Sequence, residues 1–169
     1  DKLNGTIEVN SKKNVGTDIK VCMTFAIGEE IKYDNPAENH FSLEGLRALV
    51  VEDNELNTEV VKFFLENNGI IVDCVEDGVQ ALNSFEKSNP GYYAMILMDV
   101  LMPRMNGLEA TRRIRTLQRK DASSIPIIAM SANAFSDDIM RGKLAGMNDY
   151  LAKPLDEEML IRAIRKCLK

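Results

Sequence analysis

Four short apolar runs in this sequence each end at polar side chains, and this arrangement restricts the fold more than any other feature. Short runs that are apolar throughout are typical of strands buried on both faces of a parallel sheet. The carboxyl ends of parallel strands meet at one edge, so the polar residues are expected to converge there. The runs are 49–51 followed by Glu52 and Asp53, 95–98 followed by Asp99, 127–130 followed by Ser131, and 150–152 followed by Lys153.

The segment from residue 46 to residue 168 alternates short apolar runs with longer amphipathic ones. This alternation predicts an α/β fold with a doubly wound, five-stranded parallel sheet and helices on both faces. In the third helix, Arg112, Arg113 and Arg115 are expected to face mostly solvent. The predicted strands are 46–51, 70–75, 94–99, 126–130 and 148–151, and the predicted helices are 55–67, 79–88, 108–119, 135–144 and 156–168.

Residues 1–27 lie outside this alternation and predict a β-hairpin. Residues 5–11 alternate polar and apolar side chains, 12–16 contain turn residues, and 17–27 alternate again. An isolated hairpin is marginally stable in water, so we expect it to pack on the main domain, on a second copy, or on sequence absent from this chain. The polar, unpatterned stretch 28–44 predicts a linker, and 45–169 is then the main domain.

Composition excludes several classes of function. The 26 acidic and 21 basic residues give a net charge of −5, which does not favour nucleic-acid binding. No apolar run approaches the roughly 20 residues needed to cross a bilayer, so we expect no membrane contact and a cytoplasmic location. We expect Cys22, Cys74 and Cys167 to be reduced, packed thiols, and His40 to be a surface residue of the linker.

The polar strand ends have the chemistry of a divalent-cation site. Asp99 follows the most buried run, where burial disfavours a charged carboxylate unless positive charge lies nearby. A cation shared with Asp53 and Glu52 can supply that charge, and Lys153 can add a second one. Carboxylate oxygens suit Mg²⁺, and the lack of clustered His and Cys argues against zinc.

A carboxylate held beside Mg²⁺ can attack a phosphoryl group and form an aspartyl phosphate. Lys153, the Ser131 hydroxyl and nearby backbone N–H groups could then bind the phosphoryl oxygens. Taken singly, each residue has a simpler explanation: Asp53 or Asn54 as the cap of the first helix, Ser131 as another helix cap, Asp99 as a turn residue, and Lys153 as a surface lysine. Their joint placement at strand ends favours the site.

Residues 46–168 resemble the receiver domain of two-component response regulators. The matching segments are VVEDN at 50–54, MDVLMP at 98–103, MSA at 130–132 and YLAKP at 150–154. The resemblance implies a flavodoxin-like strand order of 2-1-3-4-5 and a phosphohistidine that donates to Asp99. It also implies that Ser131 and Lys153 bind the phosphoryl group. The implied Mg²⁺ ligands are Glu52, Asp53, Asp99 and the backbone carbonyl of Leu101.

The same resemblance concerns two further features of the site. Tyr150 matches an aromatic switch position whose ring turns inward when Ser131 moves toward the phosphate, although a tyrosine that simply packs would also fit. The peptide bond between Lys153 and Pro154 matches one that is cis in the family. Ser131 stands where threonine is commoner and keeps the hydroxyl.

The predicted hairpin resembles the last strands of a histidine-kinase ATP-binding domain, through residues 5–11 and the Gly16-Thr17 pair. The remaining elements of that domain have no counterpart here, so we expect that this chain is not itself a kinase. We expect it to be the C-terminal piece of a hybrid sensor kinase, and that parent protein can be membrane-anchored. The implied partners are the phosphohistidine of a kinase core and a histidine phosphotransfer protein. The latter is expected near Asn54, Leu56 and Asn57.

Two alternatives remain. A small-molecule phosphatase of the haloacid-dehalogenase type would use an aspartyl nucleophile, but it places Asp-x-Asp after its first strand, whereas this chain has EDNE at 52–55. A non-phosphorylated interaction module would keep the fold and lack one of the polar residues at the strand ends, and all of them are present.

Overall fold

The computed structural model describes residues 5–23, 42–132 and 136–168, and the chain divides into two units, Asp1–Asn39 and His40–Lys169. The first unit contains the predicted hairpin. Strands β1 (Gly5–Lys12) and β2 (Gly16–Met23) pair antiparallel. The turn between them has positive φ at Asn14 (63°) and Gly16 (144°), conformations that suit asparagine and glycine. Residues 24–27, most of the linker and His40 lie outside the described residues.

The hairpin has an apolar face within its own unit. Ile7 pairs with Val21, and Val9 pairs with Ile19. Because alternate residues of a strand point to the same face, these four side chains form one patch. They are between 52% and 70% exposed.

The second unit contains the predicted parallel sheet, with strand order β4-β3-β5-β6-β7. In the numbering of that sheet alone, this is the expected order 2-1-3-4-5, and all four neighbouring pairs are parallel. The elements in chain order are β3 (Arg47–Val51), α1 (Glu55–Asn67), β4 (Ile71–Val75), α2 (Gly78–Lys87), β5 (Met95–Asp99), α3 (Gly107–Thr116), β6 (Ile127–Ser131), α4 (Ser136–Ala145), β7 (Asp149–Ala152) and α5 (Glu157–Cys167).

Apolar side chains cover the sheet on both faces. On one face, Leu65 of α1 and Ile164 of α5 pack on the strands. On the other face, Phe85 of α2 and Ile114 of α3 do so. Each fully buried side chain of this size contributes about 1.5–3 kcal/mol of transfer free energy, so the two cores hold the strand ends in fixed positions.

Most of these helices begin directly beyond the carboxyl ends of the strands. Asn54, Asp77, Asn106 and Asp156 cap α1, α2, α3 and α5, and each side chain accepts a backbone N–H of the first turn. The loops that lead into these helices therefore collect at the edge where the polar strand ends lie.

Three sequence expectations were wrong in detail. Helix α3 ends at Thr116 rather than at 119, because Leu117 is extended and Arg119 turns back to pair with Asp121 and to donate to the carbonyls of Phe85 and Ser88. The second expectation concerns Arg115, which is half-buried rather than facing solvent. Its guanidinium donates to the carbonyls of Ala122 and Gly146 and to Asn148 Oδ1.

The third expectation concerns the packing of the cysteines. Cys22 and Cys74 are exposed, so the packed environment expected for them is absent, whereas Cys167 is partly buried and packs against the core under α1 and α5, as expected. Cys22 lies in the exposed hairpin. Cys74 lies in edge strand β4, which the helices cover less completely than they cover the central strands.

Candidate functional site

The polar residues predicted at the strand ends do converge at one edge of the sheet. Asp99 is the last residue of β5 and Ser131 the last of β6, while Glu52 and Lys153 directly follow β3 and β7. Glu52, Asp99 and Ser131 are buried, with 2%, 5% and 2% of their surface exposed. These residues come from four strands, so the fold itself brings them together.

Lys153 joins the two buried carboxylates. Its Nζ donates to Glu52 Oε2 and to Asp99 Oδ2, both at 2.6 Å. Burial of the ammonium lowers the pKa of Lys153, but the hydrogen bonds to Asp99 and Glu52 outweigh burial and leave that pKa above its usual value. The lysine therefore carries a positive charge at the centre of the site.

Three carboxylates form a compact acidic cluster. Glu52, Asp53 and Asp99 each offer one oxygen, and these oxygens lie within 4.8 Å of one another. Two of the acids are buried and Asp53 is exposed, so the cluster is open to solvent on one side. This all-oxygen set of donors fits a hard divalent cation such as Mg²⁺.

The backbone around Asp99 is tightly packed. Leu101 N donates to Asp99 Oδ1 at 3.1 Å, and Gly107 N donates to Val100 O at 3.1 Å. A Cβ at Gly107 would lie 2.1 Å from the Asp99 carbonyl oxygen, so only glycine fits there. The loop after β5 therefore folds back over its own strand and fixes the direction of the Asp99 side chain.

The β6 and β7 ends hold the other predicted residues. Lys153 N donates to Ser131 O at 2.8 Å, and the bond between Lys153 and Pro154 is cis, as expected. Tyr150 is partly buried, packs against the core under α2 and α3, and lies beside Gly142 of α4. This position fits either a switch residue or a simple packing role.

Two side-chain contacts near the site had no assigned role in the sequence. Asn57 Nδ2 of α1 donates to Glu52 Oε1 at 2.8 Å. The sequence places Asn57 only on the surface where the phosphotransfer partner is expected to dock. Asp77, which is fully buried at the start of α2, forms an ion pair with Arg104 in the loop after β5. The Asn54-x-x-Asn57 spacing signals a helix cap, but nothing in the sequence shows where the Asn57 amide points.

The family model described as the response regulator receiver domain matches residues 48–165. The chain belongs to this family, and it is a receiver domain of two-component signalling. Within the described residues, no helix is both long and apolar enough to cross a membrane.

Its relatives include histidine kinases. The chain is 36% identical over 131 residues to the peroxide stress-activated histidine kinase mak1 of Schizosaccharomyces pombe, which aligns with 77% of the chain. It is 30% identical over 164 residues to hybrid signal transduction histidine kinase L of Dictyostelium discoideum, which aligns with 96% of the chain. The chain spans only 8% and 10% of the lengths of these two proteins.

Two solved structures share the fold. The receiver domain of sensor histidine kinase PA1611 from Pseudomonas aeruginosa PAO1, with magnesium coordinated in its active-site cleft, is 40% identical with a TM-score of 0.66, over 73% of this chain and 98% of that one. The second is the co-crystal structure of the receiver domain of Ssk1 from Saccharomyces cerevisiae with the histidine phosphotransfer protein Ypd1. It matches with 28% identity and a TM-score of 0.66, over 73% of this chain and 89% of that one. These likenesses give no support to the phosphatase alternative.

Proposed function

We propose that Asp99 accepts a phosphoryl group from a phosphohistidine in a Mg²⁺-dependent reaction and relays it to a second histidine. The observation that carries this proposal is the bridge from Lys153 to Asp99 and Glu52 beneath the three-acid cluster. It combines a buried carboxylate nucleophile, a fixed positive charge and a set of oxygen donors in one solvent-facing site.

The residues divide into two groups. Glu52, Asp53 and Asp99, with the backbone carbonyl of Leu101, would hold Mg²⁺. When bound, Mg²⁺ neutralises negative charge on the carboxylates and on the phosphoryl oxygens. The Lys153 ammonium and the Ser131 hydroxyl would bind the remaining phosphoryl oxygens.

The transfer is a single displacement at phosphorus. A carboxylate oxygen of Asp99 forms a bond to phosphorus while the bond from phosphorus to the imidazole nitrogen breaks. The electron pair of that bond stays on the imidazole, which takes up a proton from solvent. The attacking group is a carboxylate, so no general base is required, and the Lys153 ammonium already lies beside it, 2.6 Å from Asp99 Oδ2.

The same site can change conformation once it is phosphorylated. Ser131 is buried at the end of β6, and Tyr150 packs beside α4 one strand away. We infer that movement of Ser131 toward the phosphoryl group makes room for the Tyr150 ring to turn inward. The face that contains Tyr150 would then differ between the two states.

We propose that a histidine phosphotransfer protein docks on the surface near the site. Leu56, Val60 and Phe63 of α1 are 74%, 39% and 59% exposed. Their spacing of four and three residues places them in one stripe along the helix. The Ssk1 receiver domain was crystallised with a partner of this kind.

The parent protein is proposed to be a cytoplasmic or membrane-anchored hybrid histidine kinase. The alignment with Dictyostelium kinase L extends over 96% of this chain, which includes most of the segment before the receiver domain. On this interpretation residues 1–27 are the last strands of the kinase ATP-binding domain and 28–44 are the linker. The exposed apolar face of the hairpin would then be covered by the rest of that domain.

Phosphorylation by a small donor tests the function directly. The chain is incubated with acetyl phosphate, with Mg²⁺ or with EDTA, and its intact mass is measured. We expect one phosphate per chain with Mg²⁺, none with EDTA and none in Asp99→Asn. A phosphate that remains in Asp99→Asn would overturn the assignment of the acceptor.

A further inference from the structure

The buried carboxylate of Glu52 accepts hydrogen bonds on both of its oxygens. Lys153 Nζ donates to Oε2 at 2.6 Å, and Asn57 Nδ2 donates to Oε1 at 2.8 Å. Buried carboxylates need such donors. Lys153 also donates to Asp99, so the Asn57 amide gives Glu52 a second hydrogen bond, on its other oxygen, that is not shared with Asp99.

The start of α1 holds Asn57 in place. Asn54 caps the helix, and its Oδ1 accepts Asn57 N at 3.1 Å. Asn57 thus occupies the third helical position, where a glutamate or glutamine of a capping box reaches back to the N–H of the cap. Here the Asn57 amide donates to Glu52 instead, so this side chain serves the acidic cluster.

We propose that Asn57 is a positioning residue that orients Glu52 toward Asp53 and Asp99 and thereby sets the Mg²⁺ affinity of the cluster. The proposal deepens the proposed function and rests on it for the identity of the metal. A carboxylate oxygen has two lone pairs, so it can accept the Asn57 amide and still face a cation. Of the two hydrogen bonds described for the Glu52 carboxylate, loss of that amide would leave the one from Lys153.

The expected effect falls on metal binding rather than on chemistry. Loss of an outer hydrogen-bond partner of a metal ligand typically weakens metal binding about 10- to 100-fold. Asp99 has its own contacts, with Leu101 N and Lys153 Nζ, and none of these involves Asn57. The rate of phosphorylation at saturating Mg²⁺ should therefore change little when Asn57 is replaced.

Mg²⁺ binding by isothermal calorimetry is the first test. Asn57→Leu keeps the approximate size of the side chain and removes the donor. Val61→Ala, at a fully buried position of the same helix, is the matched control for lost stability. We expect Asn57→Leu to weaken Mg²⁺ binding about tenfold and Val61→Ala to leave it unchanged. Unchanged or tighter binding in Asn57→Leu, or equal weakening in both variants, would overturn the proposal.

The Mg²⁺ dependence of phosphorylation by acetyl phosphate is the second test. In Asn57→Leu the half-saturating Mg²⁺ concentration should rise about tenfold, while the maximal rate stays within about twofold of wild type. A maximal rate that falls as far as the affinity would contradict a positioning role. If wild type itself takes up no phosphate, the proposed function fails, and calorimetry still decides the role of Asn57.

Discussion

Gly107 links the packing of the loop after β5 to the reactivity of Asp99, and its replacement by alanine is a sharp test of that link. An added Cβ would lie 2.1 Å from the Asp99 carbonyl oxygen and 2.8 Å from Met98 Cγ. Real Cβ atoms do not approach backbone oxygen closer than 3.0 Å. The Asp99 peptide must therefore move by about 1 Å, and the carboxylate moves with it.

Two consequences follow from this displacement. Overpacking of this kind costs about 1–3 kcal/mol of folding free energy. A reacting group misplaced by about 1 Å can lose on the order of 100-fold in rate. We expect Gly107→Ala to be about 2 kcal/mol less stable than wild type and to be phosphorylated about 10- to 100-fold more slowly.

Urea unfolding measures the stability, and intact mass after acetyl phosphate measures the rate. Gly142→Ala is the matched control, because a Cβ there would lie 3.4 Å from Met147 Sδ and 3.6 Å from the Tyr150 ring. Alanine within a helix is favoured over glycine by about 0.5–1 kcal/mol, so this control should be neutral or stabilising and should react at the wild-type rate. If Gly107→Ala matches the control in both measurements, the loop does not position Asp99 as argued.

Two further variants test separate parts of the structure. The Arg119 guanidinium and Gly91 N hold the pKa of Asp121 down to about 2 from 3.8. Because this pKa is lower in the folded state, the charged carboxylate stabilises the fold above pH 4, and this stabilisation is lost as the pH falls toward 2. This contribution is about 2 kcal/mol, so urea unfolding at pH 7 should show that Asp121→Asn is less stable than wild type by this amount. The difference in free energy of unfolding should shrink near pH 2, and a difference that stays constant with pH would refute the pairing. Leu56→Glu should slow transfer from a phosphorylated histidine phosphotransfer protein while Mg²⁺ binding stays unchanged, and equal transfer rates would exclude α1 as the docking surface.

The sheet and its polar edge could be predicted because each depends on local pattern. Buried parallel strands require apolar runs, and a residue at the end of such a run must lie at the carboxyl edge of the sheet. Asp99, Ser131 and Lys153 therefore follow from their positions relative to 95–98, 127–130 and 150–152. The strand order needed the resemblance to the receiver family, since several orders satisfy the same alternation.

Other features depend on contacts that local pattern does not contain. The end of α3 is set by Arg119, whose partners lie in α2 and in the next loop. The partial burial of Arg115 depends on carbonyls from residues 122 and 146. The Asn57 amide could have pointed to its own helix cap, and only the fold shows that it reaches Glu52.

Mapping the phosphorylated residue tests the central claim most directly. The chain is incubated with acetyl phosphate and Mg²⁺, the acyl phosphate is reduced with borohydride to homoserine, and the site of reduction is located by peptide mass spectrometry. We predict reduction at Asp99 alone and only when Mg²⁺ is present. Reduction at Asp53 or Glu52, or equal reduction with EDTA, would contradict the account.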